Sequence, residues 1–144
     1  MGCGADCRTC ERLRRAAIEI SAAVGIEGVE ASLLANAAGV PVDDVRNHGP
    51  GSAKGWVAVA YASATRRLQA DFEEQFNSGV SWTDGLRRAT EGLVSTLADD
   101  SAQARFCYVE VMRGDSTMRE LREVVRRRSI ELFTRQYLDR HGDG

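Results

Sequence analysis

Nowhere does an apolar run approach the roughly 20 residues that would span a bilayer, and no basic-then-apolar leader precedes a small-residue cleavage site. The expectation is a soluble, cytoplasmic chain with no membrane partner. Met1-Gly2 opens like an acylation signal, but Asp6 stands where that signal wants Ser or Thr. Proline occurs only twice and no strongly β-branched run appears, so strands have little support. The two histidines, His48 and His141, lie in a turn region and in the tail, and neither has a ligand-spaced neighbour in the sequence. No nucleophile elbow, phosphate loop or H-E-x-x-H motif occurs. These absences argue against an enzyme, and no cofactor is expected. A net charge of −2 means that nothing global draws the chain to nucleic acid, so any such contact must be local.

What is present points to helices. Apolar residues make up 43% of 144 residues with little aromatic content, enough for one domain or two small ones without disulfide staples. Eighteen of the nineteen basic residues are arginine, whose planar fork suits phosphate and carboxylate partners. The spacing predicts an all-α fold of about seven helices, divided into an N-terminal unit, 9–52, and a helical body, 53–141.

The organising stretch is Leu33 to Lys54. A helix from Glu30 to Ala38, with Leu33 and Leu34 inward and Ser32 and Asn36 outward, is closed by Gly39, which readily takes the left-handed conformation. Pro41 suits a first helical position, and Val42 to His48 is a second short helix stopped by Gly49-Pro50-Gly51. Two short helices joined by a tight glycine turn form the helix-turn-helix pattern, whose second helix enters a DNA major groove. Upstream, a helix from about Thr9 to Val24 ends at Gly25. Downstream, Ser52 caps a long helix reaching about Asn77, with Val57, Tyr61, Ala64, Leu68, Phe72 and Phe76 on one face and Arg66, Arg67, Asp71, Glu73 and Glu74 in water. Gly55 near its start serves either as a pivot or for close packing.

Further helices are expected over Trp82 to Ala98, capped by Ser81 and Asp84, and over Ala102 to Met112, with Phe106 and Val109 inward. Thr117 and Glu120 read as a capping box for a last helix to about Arg140. The inward residues are expected to be Trp82, Leu86, Ala89, Leu93 and Leu97 in the first of these helices. In the last, Leu121, Val125, Ile130, Phe133 and Tyr137 supply the apolar side chains.

With Ala16-Ala17, Gly25, Glu27-Gly28, Leu34-Ala35, Ala38-Gly39-Val40, His48, Pro50, Ser52 and Lys54 in place, the chain resembles the N-terminal domain of the TetR family of transcriptional regulators over roughly residues 11 to 70. That resemblance implies a DNA-binding repressor released by a small-molecule effector and acting as a homodimer on a double-stranded operator. Family members usually pair through two helices beyond the point where this sequence stops, so the expectation is pairing through what remains, such as the long last helix, or a shortened or monomeric relative. The residues placed at DNA are Arg12, Ser32, Val42, Asp44, Arg46, Asn47, His48 and Lys54. Arg46 and Asn47 have the bidentate geometry that guanine and adenine edges require, while His48 and Lys54 suit phosphates. Arg12, Arg14 and Arg15 either hold phosphate or form a solvated face. Arg46 and Gly49 replace the aromatic pair usual in the family, and Asp43 and Asp44 occupy the face expected to approach phosphate. A rival reading is therefore a ligand- or protein-binding module that has lost DNA binding.

Two further sets carry chemistry. Tyr61, Trp82, Phe106, Tyr108 and Phe133 are the candidate lining of an effector pocket, or ordinary core. Cys3, Cys7 and Cys10, spaced by four and then three, share one face if helical. They fit zinc, an iron–sulfur cluster or a redox sensor. They also fit the buried stripe that continues through Leu13, Ala17, Ile20 and Val24, or a frayed tail. Their spacing matches the signature of S-adenosylmethionine radical enzymes, a reading excluded because those enzymes need a much larger α/β barrel.

Overall fold

A computed structural model describes residues 7–141. Among these residues the chain forms seven α-helices and no strand: α1 Arg8–Val24, α2 Ala31–Ala38, α3 Val42–Asn47, α4 Ala53–Asn77, α5 Trp82–Asp99, α6 Ser101–Tyr108 and α7 Ser116–His141. Short 3₁₀ turns, Ile26–Gly28 and Glu110–Arg113, follow α1 and α6. Long α4 is the spine, packing against α1, α5, α6 and α7.

The punctuation residues explain the boundaries. Gly39 ends α2 in the left-handed conformation, φ 66°, ψ 38°, and the N–H groups of Gly39 and Val40 return to carbonyls of the α2 end. Two glycines of positive φ, Gly49 at 51° and Gly51 at 74°, turn the chain from α3 into α4. Ser52 caps α4 by accepting from Gly55 N–H at 3.0 Å, and Ser81 caps α5 by accepting from Asp84 N–H at 3.1 Å. Asp100 alone separates α5 from α6 and caps α6 through Gln103 N–H at 3.1 Å.

One core runs across both halves of the chain. Leu13, Ala17 and Ile18 of α1, Leu34 of α2, Val45 of α3 and Trp56, Val57 and Tyr61 of α4 are buried with Phe106, Val111 and Met118. At the far end of α4, Phe76 is buried edge-on to Trp82.

Several expectations are corrected. Leu33 is exposed, because only the Leu34, Ala35 and Ala38 face of α2 meets the core. Pro41 precedes α3 with extended ψ, and His48 follows its last turn, so α3 is six residues long. Helix α6 stops at Tyr108 and tightens into a 3₁₀ turn, which rotates Val109 to the surface and buries Glu110 instead. Glu110 is held by Arg105 at 3.1 Å. The cap of α7 is Asp115, whose carboxylate accepts from Met118 N–H at 3.2 Å, and not Thr117. On α5 only Gly85 and Ala89 are buried, and on α7 only Met118, Leu132 and Gln136. Ile130, Phe133 and Tyr137 stay exposed, since few elements cover that side of α7.

Candidate functional site

The α2–turn–α3 unit lies at the surface. Val45 is the one buried residue of α3, inserted beside Trp56, whose indole N–H donates to the Val45 carbonyl at 3.0 Å. Around that anchor Val42, Asp43, Arg46 and Asn47 point outward, and Asp44 is half-buried. The acidic pair sits in the first turn of α3, where unpaired N–H groups favour negative charge. The Cβ of an alanine at Gly49 would lie 2.8 Å from the Trp56 ring, so the turn after α3 rests directly on the indole.

Arg12 and Ser32 are exposed. Lys54, also exposed, is engaged: its ammonium lies 2.6 Å from Asp115 at the head of α7, which raises the lysine pKa and lowers that of the aspartate. Arg15 is likewise committed, bonded to Asp100 at 2.6 Å and to Glu19 at 2.9 Å.

His48 takes a different place from the other residues assigned to DNA. Its Nδ1 lies 3.6 Å from Cys7 Sγ and 4.0 Å from Cys10 Sγ, while Nε2 on the opposite edge is 3.9 Å from Asp44 Oδ1. Cys7 is the N-cap of α1, its sulfur accepting from Cys10 N–H at 3.4 Å. The three donor atoms all lie within 4.8 Å of one another, with Cys10 buried and the other two half-buried. Cys3 lies outside the described residues. The C-x2-C spacing was readable; the approach of His48, 38 residues beyond Cys10, was not, because it depends on how α3 folds back over the start of α1.

Of the aromatic set, Tyr61, Tyr108 and Phe133 line a cavity of about 200 Å³ between α4, α6 and α7, together with Thr65, Gln69 and Ser129. Phe106 is not in the lining; it is fully buried, edge-on to Tyr61 at 6.3 Å. Trp82 is not in the lining either; it meets Phe76, Tyr137 and His141 edge-to-face. Burial pushes the Tyr61 hydroxyl up to about 12, so it is a neutral donor at physiological pH. Gln69 bridges the helices beside the cavity, donating to Val125 O at 3.1 Å and Ser129 Oγ at 2.9 Å.

Comparison with protein-family models, curated proteins and solved structures finds no match to this chain.

Proposed function

We propose that the chain is a TetR-like DNA-binding regulator in which α2 and α3 read an operator and the body around the cavity senses a small effector. The observation that carries this reading is the stance of α3: a short surface helix seated by one side chain, Val45, with Arg46 and Asn47 directed outward after a left-handed glycine turn. Such a helix fits a major groove about 12 Å wide, and arginine and asparagine are the side chains that pair bidentately with guanine and adenine. Arg12 and Ser32 supply backbone contacts in this reading.

The cavity is small and mostly apolar with hydroxyl and amide groups at its wall, the composition of a site for a compact effector. Ile130, Phe133, Tyr137 and Leu138 leave an exposed apolar stripe on α7, which serves as the face for a second copy. Two copies are needed because one near-neutral reader gains little from phosphate attraction.

The test is fluorescence anisotropy at low salt with duplexes selected from a random pool. Sequence-preferring binding is expected, and Arg46→Ala should cost roughly 1–3 kcal/mol and relax preference at one base pair. Absence of binding at micromolar protein refutes the reading. The exposed Asp43 and the engagement of Lys54 by Asp115 favour a second reading, a protein- or ligand-binding module without DNA affinity. That module would bind no duplex yet would keep ligand-dependent stabilisation.

A further inference from the structure

Cys7, Cys10 and His48 come from two ends of the N-terminal unit, and all three are residue types that ligate soft or borderline metals. An ion held tetrahedrally at ~2.3 Å from sulfur and ~2.0 Å from nitrogen sets sulfur–nitrogen separations of about 3.6 Å and sulfur–sulfur separations of about 3.8 Å. His48 Nδ1 lies 3.6 Å from Cys7 Sγ, at that spacing, and 4.0 Å from Cys10 Sγ, within about half an ångström of it. Ligands on different irons of a cluster would stand farther apart than ligands on one ion, so donors all within 4.8 Å favour a single centre.

The surroundings suit the charged ligands. Cys7 Sγ sits at the head of α1, where it accepts the Cys10 N–H at 3.4 Å. On the far edge of the ring the Asp44 carboxylate stands 3.9 Å from Nε2, the outer-shell position from which a carboxylate orients a metal-binding imidazole.

We propose that Cys7, Cys10 and His48 bind one Zn²⁺ as its three protein ligands among the described residues. On binding, each thiol releases its proton to solvent and gives an electron pair to the ion, and no redox change is involved. The ion pins the residue that follows α3 to the N-terminus of α1, a cross-link between segments about 40 residues apart in sequence that a short helix can use to hold its position.

Zinc content is measured by mass spectrometry on protein purified without chelator, and the apoprotein is titrated with Co²⁺. One zinc per chain is expected, and cobalt should give intense visible bands of tetrahedral coordination with sulfur-to-metal charge transfer in the near ultraviolet. Cys7→Ser, Cys10→Ser and His48→Ala should each lose stoichiometric zinc while keeping the helical circular dichroism spectrum. Cys107→Ser, at a buried thiol beside the cavity, should retain the metal. A wild-type chain that carries no zinc and gives only the weak spectrum of hydrated cobalt overturns the proposal. So does zinc retained in Cys7→Ser/Cys10→Ser/His48→Ala. A brown protein with acid-labile sulfide overturns it in favour of an iron–sulfur centre.

None of these readouts depends on DNA. A consequence for operator binding rests on the proposed function: removing the ion should loosen α3 and weaken the duplex complex. A chain that holds zinc and never binds DNA keeps the site and loses the reader.

Discussion

Replacing Trp56 tests what seats α3. The indole is 1% exposed, its N–H meets the Val45 carbonyl at 3.0 Å, and its six-membered ring lies beneath Gly49. In Trp56→Phe that carbonyl loses its indole donor in a buried setting, a cost of about 1–3 kcal/mol. Three heavy atoms also vanish, leaving roughly 40 Å³, which at about 24 cal/mol per Å³ adds ~1 kcal/mol. The total is about 2–4 kcal/mol, and at about 3–4 °C per kcal/mol for 144 residues the midpoint should fall by roughly 6–16 °C. Urea and thermal unfolding followed by circular dichroism measure it. The two contributions separate when Trp56 is replaced by benzothienylalanine, which keeps the indole shape but has sulfur in place of the N–H. That variant should show the hydrogen-bond loss alone. A change below about 0.5 kcal/mol for Trp56→Phe, the range of ordinary surface substitutions, would refute the claim that this contact holds α3.

Other outcomes follow from single contacts. Asp115→Asn removes the partner 2.6 Å from Lys54, so duplex affinity should rise a few-fold and the slope against log salt should steepen by up to about one; unchanged affinity would take Lys54 out of the interface. Asp100 is held below the usual aspartate range, chiefly by its hydrogen bond from Arg15, with the Gln103 N–H helping and desolvation opposing. A depressed carboxylate stabilises fully above its unfolded value and loses that contribution as pH falls through the folded one. Asp100→Asn should therefore cost roughly 0.5–1 kcal/mol at neutral pH, discounted because Arg15 is 45% exposed, and its midpoint should converge with wild type in acid; a gap that persists there would refute the charge pairing. Burial pushes the Cys107 thiol up to about 12, so iodoacetamide at neutral pH should spare it in the native chain and label it in denaturant, as peptide mapping would record.

The elements of this fold were legible where local chemistry decides them. Gly39, Ser52 and Ser81 act on backbone groups within four residues of themselves, and the helices they bound match the expectation closely. Burial was less legible because apolar spacing marks a face without saying whether anything covers it. Leu86, Leu93 and Leu97 recur correctly on α5, yet only Gly85 and Ala89 of that helix are buried. The aromatic lining divided the same way: Tyr61, Tyr108 and Phe133 reach the cavity, whereas Trp82 finds Phe76 and Tyr137 beyond it. For the Cys7–Cys10–His48 cluster, helix spacing joined Cys7 to Cys10, but His48 arrives through a tertiary fold that no local rule encodes.

Coupling between cavity and reader has a short physical route in the proposed regulator. Trp56, which seats α3, and Tyr61, which lines the cavity, are five residues apart on α4, about 7.5 Å along one rigid helix. An effector that wedges α4 from α7 therefore displaces the Val45 seat without any intervening loop to absorb the motion. The head of α1 meets the residue that follows α3, His48 Nδ1 lying 3.6 Å from Cys7 Sγ. In that regulator a zinc ion joining Cys7, Cys10 and His48 would make the head of α1 share any shift of the spine with α3, since α1 also packs on α4. The same geometry limits the effect: a ligand that fills the cavity without discriminating between the two α4 positions leaves operator affinity unchanged, however tightly it binds.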